Sequence, residues 1–314
     1  MNLSLFDTHC DTAYELYHRN CGLTSNDCHI DLDKASVYDR YAQYCAVWSN
    51  RRLDDETCWQ EFLKIVSNFD AELEKLSDVA VRVRSADELT RAWNDKKHAV
   101  LLAVEDARLT AGRLERLDTL KAMGVTYLTL LWGGETCVGG SHNTQVGLTS
   151  FGKDLARRCF ELGLIPDISH ASEQSVDDLL EIANQYKKPI IATHSNAYTV
   201  YAHSRNLRDR HFDAVKALGG VVGVSLCCSH LTDTSLHPAT PHHVFEHIDY
   251  YMSLGGEDMV GFGCDWDGTD LPDGINHVGH LPQVADIMAS HGYSDELIEK
   301  IFFKNFYHFA IKNL

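Results

Sequence analysis

The sequence predicts an α/β protein folded as a (β/α)8 barrel of the TIM type, and three observations predict it. Eight short runs rich in β-branched and apolar residues alternate with amphipathic stretches of helical period. Several of these runs are apolar almost throughout, as strands are when both faces are covered. Glycines stand just past the helical stretches at Gly124, Gly163, Gly219 and Gly255, where helices commonly end. The open, doubly wound alternative is weakened because no G-x-G-x-x-G follows the first run.

In chain order the strand candidates are 3–9, 42–48, 99–105, 125–132, 164–170, 189–194, 220–226 and 259–265. Helical patterns fall at 57–76, 113–123, 150–162, 174–186, 209–218, 241–254 and 281–291. A chain of 314 residues has room for two average domains or one large barrel. No Pro- or Ser-rich linker and no internal repeat divides it, so one domain spanning 1–314 is expected. The connections 133–148 and 227–241 are the longest well-bounded ones, and long loops on such scaffolds shape sites.

Composition removes several function classes. A formal net charge of -17 argues against a nucleic-acid partner, which rewards a basic patch. The ten cysteines are scattered and form no C-x-x-C pair, which leaves a thiolate zinc knot or a redox motif without support. Cys227 and Cys228 read as strand-end packing residues. The opening MNLSLFDTHCDT lacks the basic and apolar regions of a signal peptide, and no run of about 18 apolar residues suggests a membrane span. A cytoplasmic protein with free thiols and no membrane partner is the resulting expectation. There is no G-x-S-x-G, Walker A loop or H-E-x-x-H.

The acids and histidines carry more information. His9, Glu105, His170, His194 and Asp265 each fall at the C-terminal end of a predicted strand, the face on which barrel enzymes build their sites. His9 and Asp11 are two residues apart, so in extended chain both side chains reach one cation. An imidazole and a carboxylate together suit zinc or a similar divalent ion. The plain alternative makes Asp11 a helix cap for a helix starting near Thr12 and His9 a satisfied core histidine. Glu105 closes an apolar strand and must be paired or metal-bound. As a bridge between two cations it would fix their separation at about 3.5–4 Å; its alternative is an ion pair with Arg108. His170 and His194 end consecutive strands, spaced about 4.8 Å apart in a barrel, close enough to share a metal. Asp265 is placed to take a proton from a water activated by the metals and deliver it to a leaving amine. Asp267 competes for that role, with a turn before Gly268 as its ordinary use. The remaining histidines, His29, His98, His211 and His247 among them, are assigned to surface or helix positions.

Taken in order, FDTHCDT, LLAVE, GLTSFGKDLARRCFELGLIPDISHAS, PIIATHSNA, SRNLRD, GGVVGV and GFGCDWDGT resemble the membrane dipeptidase (renal dipeptidase) family, peptidase family M19 of the amidohydrolase superfamily. The resemblance runs from Phe6 to the terminal GYSDELIEKIFFKNF. It implies a (β/α)8 barrel with two zinc ions that hydrolyses dipeptides through a hydroxide bridging the metals. It implies His9 and Asp11 as ligands of the first metal, Glu105 as the bridging carboxylate, His170 and His194 as ligands of the second, and Asp265 as the catalytic aspartate. Arg205 would pair with the substrate's C-terminal carboxylate, a match that a guanidinium makes with two parallel bonds; its ordinary reading is a surface ion pair. The resemblance also suggests a homodimer or larger assembly.

Three departures from the family pattern bear on the substrate pocket. Trp132 stands where mammalian members carry a substrate-binding histidine, and it can donate one N–H or stack but cannot act as imidazolium. His142, in the following loop, is a substitute for that histidine. Asp106 follows the bridging glutamate where glycine is common, either adding charge near the metals or turning outward. No counterpart of the N-terminal signal and C-terminal anchor of the mammalian enzymes is expected from this sequence. Two other functions stay open at this point: another amidohydrolase reaction on an N-acyl amino acid, lactone or cyclic amide, and a catalytically silent binding protein.

Overall fold

The computed structural model describes residues 3–314. Its strands are β1 (Leu5–Cys10), β2 (Tyr41–Trp48), β3 (Ala80–Arg82), β4 (His98–Glu105), β5 (Val125–Thr129), β6 (Ile165–Asp167), β7 (Val222–Val224) and β8 (Val260–Phe262). All the ladders are parallel, and neighbours run β6-β5-β4-β2-β1-β8-β7. Two single-residue bridges, Asp167 to Ile191 and Ala192 to Val222, insert the predicted run 189–194 between β6 and β7 and close the ring. The eight predicted runs are therefore the eight staves of a (β/α)8 barrel.

The stave at 189–194 lacks a regular ladder because its backbone is drawn inward. Thr193 O accepts the Thr8 hydroxyl at 2.7 Å. Glycine is required opposite it, since a Cβ on Gly263 would lie 1.6 Å from that carbonyl and one on Gly223 2.0 Å. Several staves are shorter than their apolar runs. The runs 164–170 and 259–265 keep three ladder residues each and then turn, with His170 at φ 70° and Asp265 at φ 64°. Strand β3 was outside every predicted run; it pairs only with the start of β4, from His98 to Val100, and β5 takes over the same edge from Leu102.

The helices follow the predicted pattern with small shifts, at Asp55–Lys75, Glu115–Ala122, Ser150–Leu162, Glu173–Tyr186, Asp209–Ala217, Pro241–Ser253 and Pro282–Ser290. Asp54, Thr149 and Ser172 cap three of them by accepting a backbone N–H. Gly124, Gly163, Gly219 and Gly255 all adopt positive φ just past helix ends. A further helix, Ala86–Asn94, and a closing run from Asp295 to Asn313 were not predicted. Asn305 ties that closing run to the barrel, donating to Val260 O and Glu257 O. No helix among the described residues is long and apolar enough to cross a membrane.

One histidine assignment changes. His98 is not at the surface: it starts β4, is buried against the Tyr41 ring at 4.4 Å, and neither ring nitrogen has a hydrogen-bond partner among the described residues. His211 and His247 lie on helices as expected but are buried, His211 against Asp177 and His247 between Ala197 N and Leu231 O.

Candidate active site

Six of the predicted side chains meet at the strand ends. Glu105 Oε1 lies 3.0 Å from His170 Nε2, 3.5 Å from His194 Nε2 and 3.7 Å from His9 Nε2. His9 Nε2 is also 3.8 Å from Asp11 Oδ2 and 3.8 Å from Asp265 Oδ1. The donor atoms form two sets within 4.8 Å: His9, Glu105 and His194, and His9, Asp11 and Asp265. Register explains part of this convergence, since Trp48, Glu105, Thr129 and Asp167 stand level across β2, β4, β5 and β6.

The ordinary readings of these residues fail on geometry. Asp11 is the cap residue of helix Thr12–Arg19, yet its side chain makes no capping bond, and Oδ1 has no partner among the described residues. Arg108 does not pair with Glu105; it turns to Asp55 and to the carbonyls of Asn50 and Leu53. Asp267 is consumed by structure, accepting the Thr12 hydroxyl at 2.6 Å and the His29 backbone N–H. That leaves Asp265 as the free carboxylate of the pair.

Whether these residues suit a cation can be tested on the hydrogens. His170 Nδ1 lies 2.9 Å from the Trp132 carbonyl, which only accepts, so Nδ1 carries the proton. The Tyr127 hydroxyl donates to Thr8 O at 2.8 Å, so His9 Nδ1, 3.0 Å from that oxygen, must donate to it. Both rings therefore present a bare Nε2 lone pair towards Glu105. His9 Nε2 and His194 Nε2 are buried with no hydrogen-bond partner among the described residues. Lone pairs facing a carboxylate repel unless a positive charge lies between them, so the donor set fits a divalent metal.

Charge tells the same story. Burial drives the three imidazoles towards the neutral form, His9 to about 3 and His170 and His194 well below the usual range, with Arg205 adding to the effect. Burial raises Glu105 and Asp11 well above ordinary carboxylates, with repulsion from Asp11 adding at Glu105 and repulsion from Asp265 adding at Asp11. Asp265 is raised to about 6 by burial, opposed by Arg205.

A cavity of about 560 Å³ opens onto this cluster, within the range of about 300–1,000 Å³ usual for small-molecule sites. Arg205, Trp132 and His142 all line it. Arg205 is buried, donates to His194 O at 3.2 Å, and leaves Nε without a partner among the described residues, which rules out the surface ion pair. The Trp132 ring packs on Trp48, and the Arg51 guanidinium lies 5.9 Å from it. His142 Nδ1 meets Ser204 Oγ at 2.9 Å, and burial lowers its pKa to about 3. Cys227 lines the cavity rather than packing at a strand end, because β7 has already ended at Val224 and Cys227 precedes the short helix Cys228–Leu231. Asp106 turns away: its carboxylate accepts the Arg108 N–H at 3.2 Å and lies 3.6 Å from Arg108 Nε.

Sequence reasoning missed the residues that hold this cluster. Asp7 sits buried beneath it, accepting from His9 N, Cys264 N and Trp266 Nε1 and so joining β1 to the segment after β8. Tyr127 and Thr193 meet the imidazoles. Gly268 makes room for two carboxylates, since a Cβ there would lie 2.2 Å from Asp11 Oδ2 and 2.6 Å from Asp265 Oδ1. A buried acid two or three residues before a histidine, as in FDTH and DISH, was the only available signal.

A (β/α)8 barrel whose strand ends gather three imidazoles and three carboxylates has the build of a metal-dependent hydrolase. The family model "Membrane dipeptidase (Peptidase family M19)" matches residues 1–310, and the chain belongs to that family. It is 32% identical over 231 residues to an uncharacterized protein in the pqqA 5' region of Klebsiella pneumoniae, covering 70% of this chain and 84% of that one. It is 30% identical over 234 residues to dipeptidase tcpJ of Claviceps purpurea, covering 73% of this chain and 54% of that longer one. Among solved structures, dipeptidase AC, a metallopeptidase of family M19, superposes with a TM-score of 0.92 at 25% identity, covering 100% of this chain and 99% of that one. Membership makes this chain a metal-dependent dipeptidase.

Proposed function

We propose that the chain hydrolyses dipeptides to free amino acids with two divalent cations, zinc by the nitrogen and oxygen donors available, held by His9, Asp11, Glu105, His170 and His194. The observation that carries this reading is the approach of three imidazole Nε2 atoms to the single oxygen Oε1 of Glu105. His9 and Asp11 would hold one ion and His170 and His194 the other, with Glu105 shared. When bound, the ions supply Lewis acidity that polarises a carbonyl and acidifies water near neutral pH.

The chain's own groups do the rest. Arg205 holds the substrate's C-terminal carboxylate, so the peptide bond is presented to the carboxylate cluster in a fixed orientation. Asp265 accepts a proton at its carboxylate as water adds to the carbonyl carbon. It returns that proton to the amine nitrogen as the C–N bond breaks. With a pKa of about 6 it is ionised at pH 7 yet basic enough to serve. Trp132 forms an apolar wall, and neutral His142 offers a hydrogen bond across the cavity.

Plasma mass spectrometry of the purified chain, with amino-acid release from a panel of dipeptides, tests the reading. About two metal equivalents and turnover of at least one dipeptide are expected. A protein that stays metal-free after incubation with zinc and releases no amino acid overturns it.

A further inference from the structure

His194 differs from the other two imidazoles in how its proton is placed. Its Nδ1 contacts a hydroxyl, Thr193 Oγ1, at 2.8 Å, and a hydroxyl can donate or accept. The direction is decided one step further back, at Asp167, the last residue of β6. Asp167 Oδ1 accepts the backbone N–H groups of Ser169 and Thr193, each at 3.0 Å. Its Oδ2 accepts the hydroxyls of Thr129 and Thr193, each at 2.6 Å. Four donors thus fill the carboxylate, and the single proton of Thr193 is committed to it. Thr193 Oγ1 has only lone pairs left for His194 Nδ1 and for Ser169 Oγ at 3.4 Å. His194 must therefore donate from Nδ1, which leaves Nε2 bare, buried and 3.5 Å from Glu105 Oε1.

We propose that Asp167 is a positioning residue which, through the Thr193 hydroxyl, holds His194 as its Nδ1–H tautomer and so reserves Nε2 for a cation. This rests on the reading of the cluster as a metal centre. His170 needs no such relay, because a carbonyl cannot reverse, and the His9 relay ends on the Thr8 carbonyl, equally irreversible. Only the path to His194 ends on a side chain whose hydrogen-bonding sense an isosteric change can invert. In Asp167→Asn the amide oxygen keeps the two backbone N–H groups and the NH2 faces the two hydroxyls. Thr193 then accepts from the amide and donates to His194 Nδ1. The His194 proton moves to Nε2, where it points at the cation position.

The experiment uses the full chain labelled with 15N-histidine. Long-range 1H–15N correlation on metal-free protein reads the tautomer, and chelator competition with zinc reads affinity. Asp167→Asn is expected to switch His194 to the Nε2–H form and to weaken one zinc equivalent by about 10–100-fold, leaving the other near wild type. Thr193→Val should weaken the same equivalent, and Thr193→Ser, which restores the hydroxyl, should rescue both readouts. An Nδ1–H signal for His194 and wild-type zinc affinity in Asp167→Asn overturn the proposal. If that variant does not fold, the valine and serine pair decides it: equal tautomer and affinity in the two overturn it. Wild-type protein that binds no zinc would refute the metal reading instead, and the tautomer of the metal-free chain would still decide the relay.

Discussion

Titrating zinc into the metal-free chain is expected to release protons at pH 7, and the protons come from carboxyls, not imidazoles. His9, His170 and His194 are already neutral at pH 7, because burial holds them well below their ordinary range. Glu105 and Asp11 are raised well above theirs by burial, Glu105 also by the charge of Asp11 and Asp11 by that of Asp265, so protons held on these carboxyls must leave as a cation binds. Asp265, at about 6, adds about a tenth of a proton at pH 7 and about nine tenths at pH 5. The Asp265 share of the count should therefore rise by about 0.8 between pH 7 and pH 5, and zinc affinity should fall about tenfold per pH unit for each proton displaced. Calorimetry in buffers of different ionisation enthalpy measures this, the slope of observed heat against buffer enthalpy being the number released. Glu105→Gln should lower the count at pH 7, and Asp265→Asn should abolish the rise towards pH 5. A zero slope at pH 7, or a count that stays flat to pH 5 in the wild type, refutes the reasoning.

Three further outcomes are expected. Asp265→Asn should retain its zinc yet lose about 10²–10⁴-fold in kcat on a dipeptide, and turnover near wild type would remove Asp265 from proton transfer. Arg205→Ala should lose about 10–100-fold in kcat/KM on dipeptides, corresponding to about 1.5–3 kcal/mol for a charged hydrogen-bonded contact, while dipeptide amides lose much less; equal losses on both substrates would contradict its role. His98, with a folded pKa of about 3 set by burial, lies below its unfolded value of 6.5, so stability is full above pH 6.5 and is lost as pH falls towards 3. At pH 5 the loss is about 2 kcal/mol. His98→Phe should flatten that slope in chemical denaturation, and an unchanged slope would show that His98 is not its source.

The apolar runs located all eight staves because both faces of a barrel strand are covered, and that burial is written directly in composition. They overstated strand length near the site. There His170 and Asp265 bend the chain into positive φ while His170, Cys264 and Trp266 stay buried, so the pattern reports burial rather than backbone. β3 escaped notice because three residues carry no periodicity. In the site, the residue types and strand-end positions of Glu105 and the histidines were legible. Tyr127, Thr193 and Asp167 were not, because their roles depend on which hydroxyl meets which ring nitrogen across neighbouring staves, a relation fixed by register and not by any local spelling.

The two departures that unsettled the pocket have one physical explanation: the site uses backbone at both positions. At Trp132 the carbonyl oxygen, not the indole, holds His170 through Nδ1, so the side chain there is free to differ provided the carbonyl stays in place. The indole then serves the cavity wall, packed on Trp48. At residue 106 the backbone adopts φ 73°, a conformation that suits glycine and is strained for other residues. Asp106 meets that demand by local hydrogen bonding, accepting the Arg108 N–H as the cap of the short 3₁₀ turn Ala107–Thr110. The same turn places Arg108 against Asp55 and Asn50, so the carboxylate after Glu105 steers a cation away from the metal-binding cluster and adds no charge to it. Both substitutions thus alter side chains above a backbone path that the chemistry at Glu105 and His170 requires.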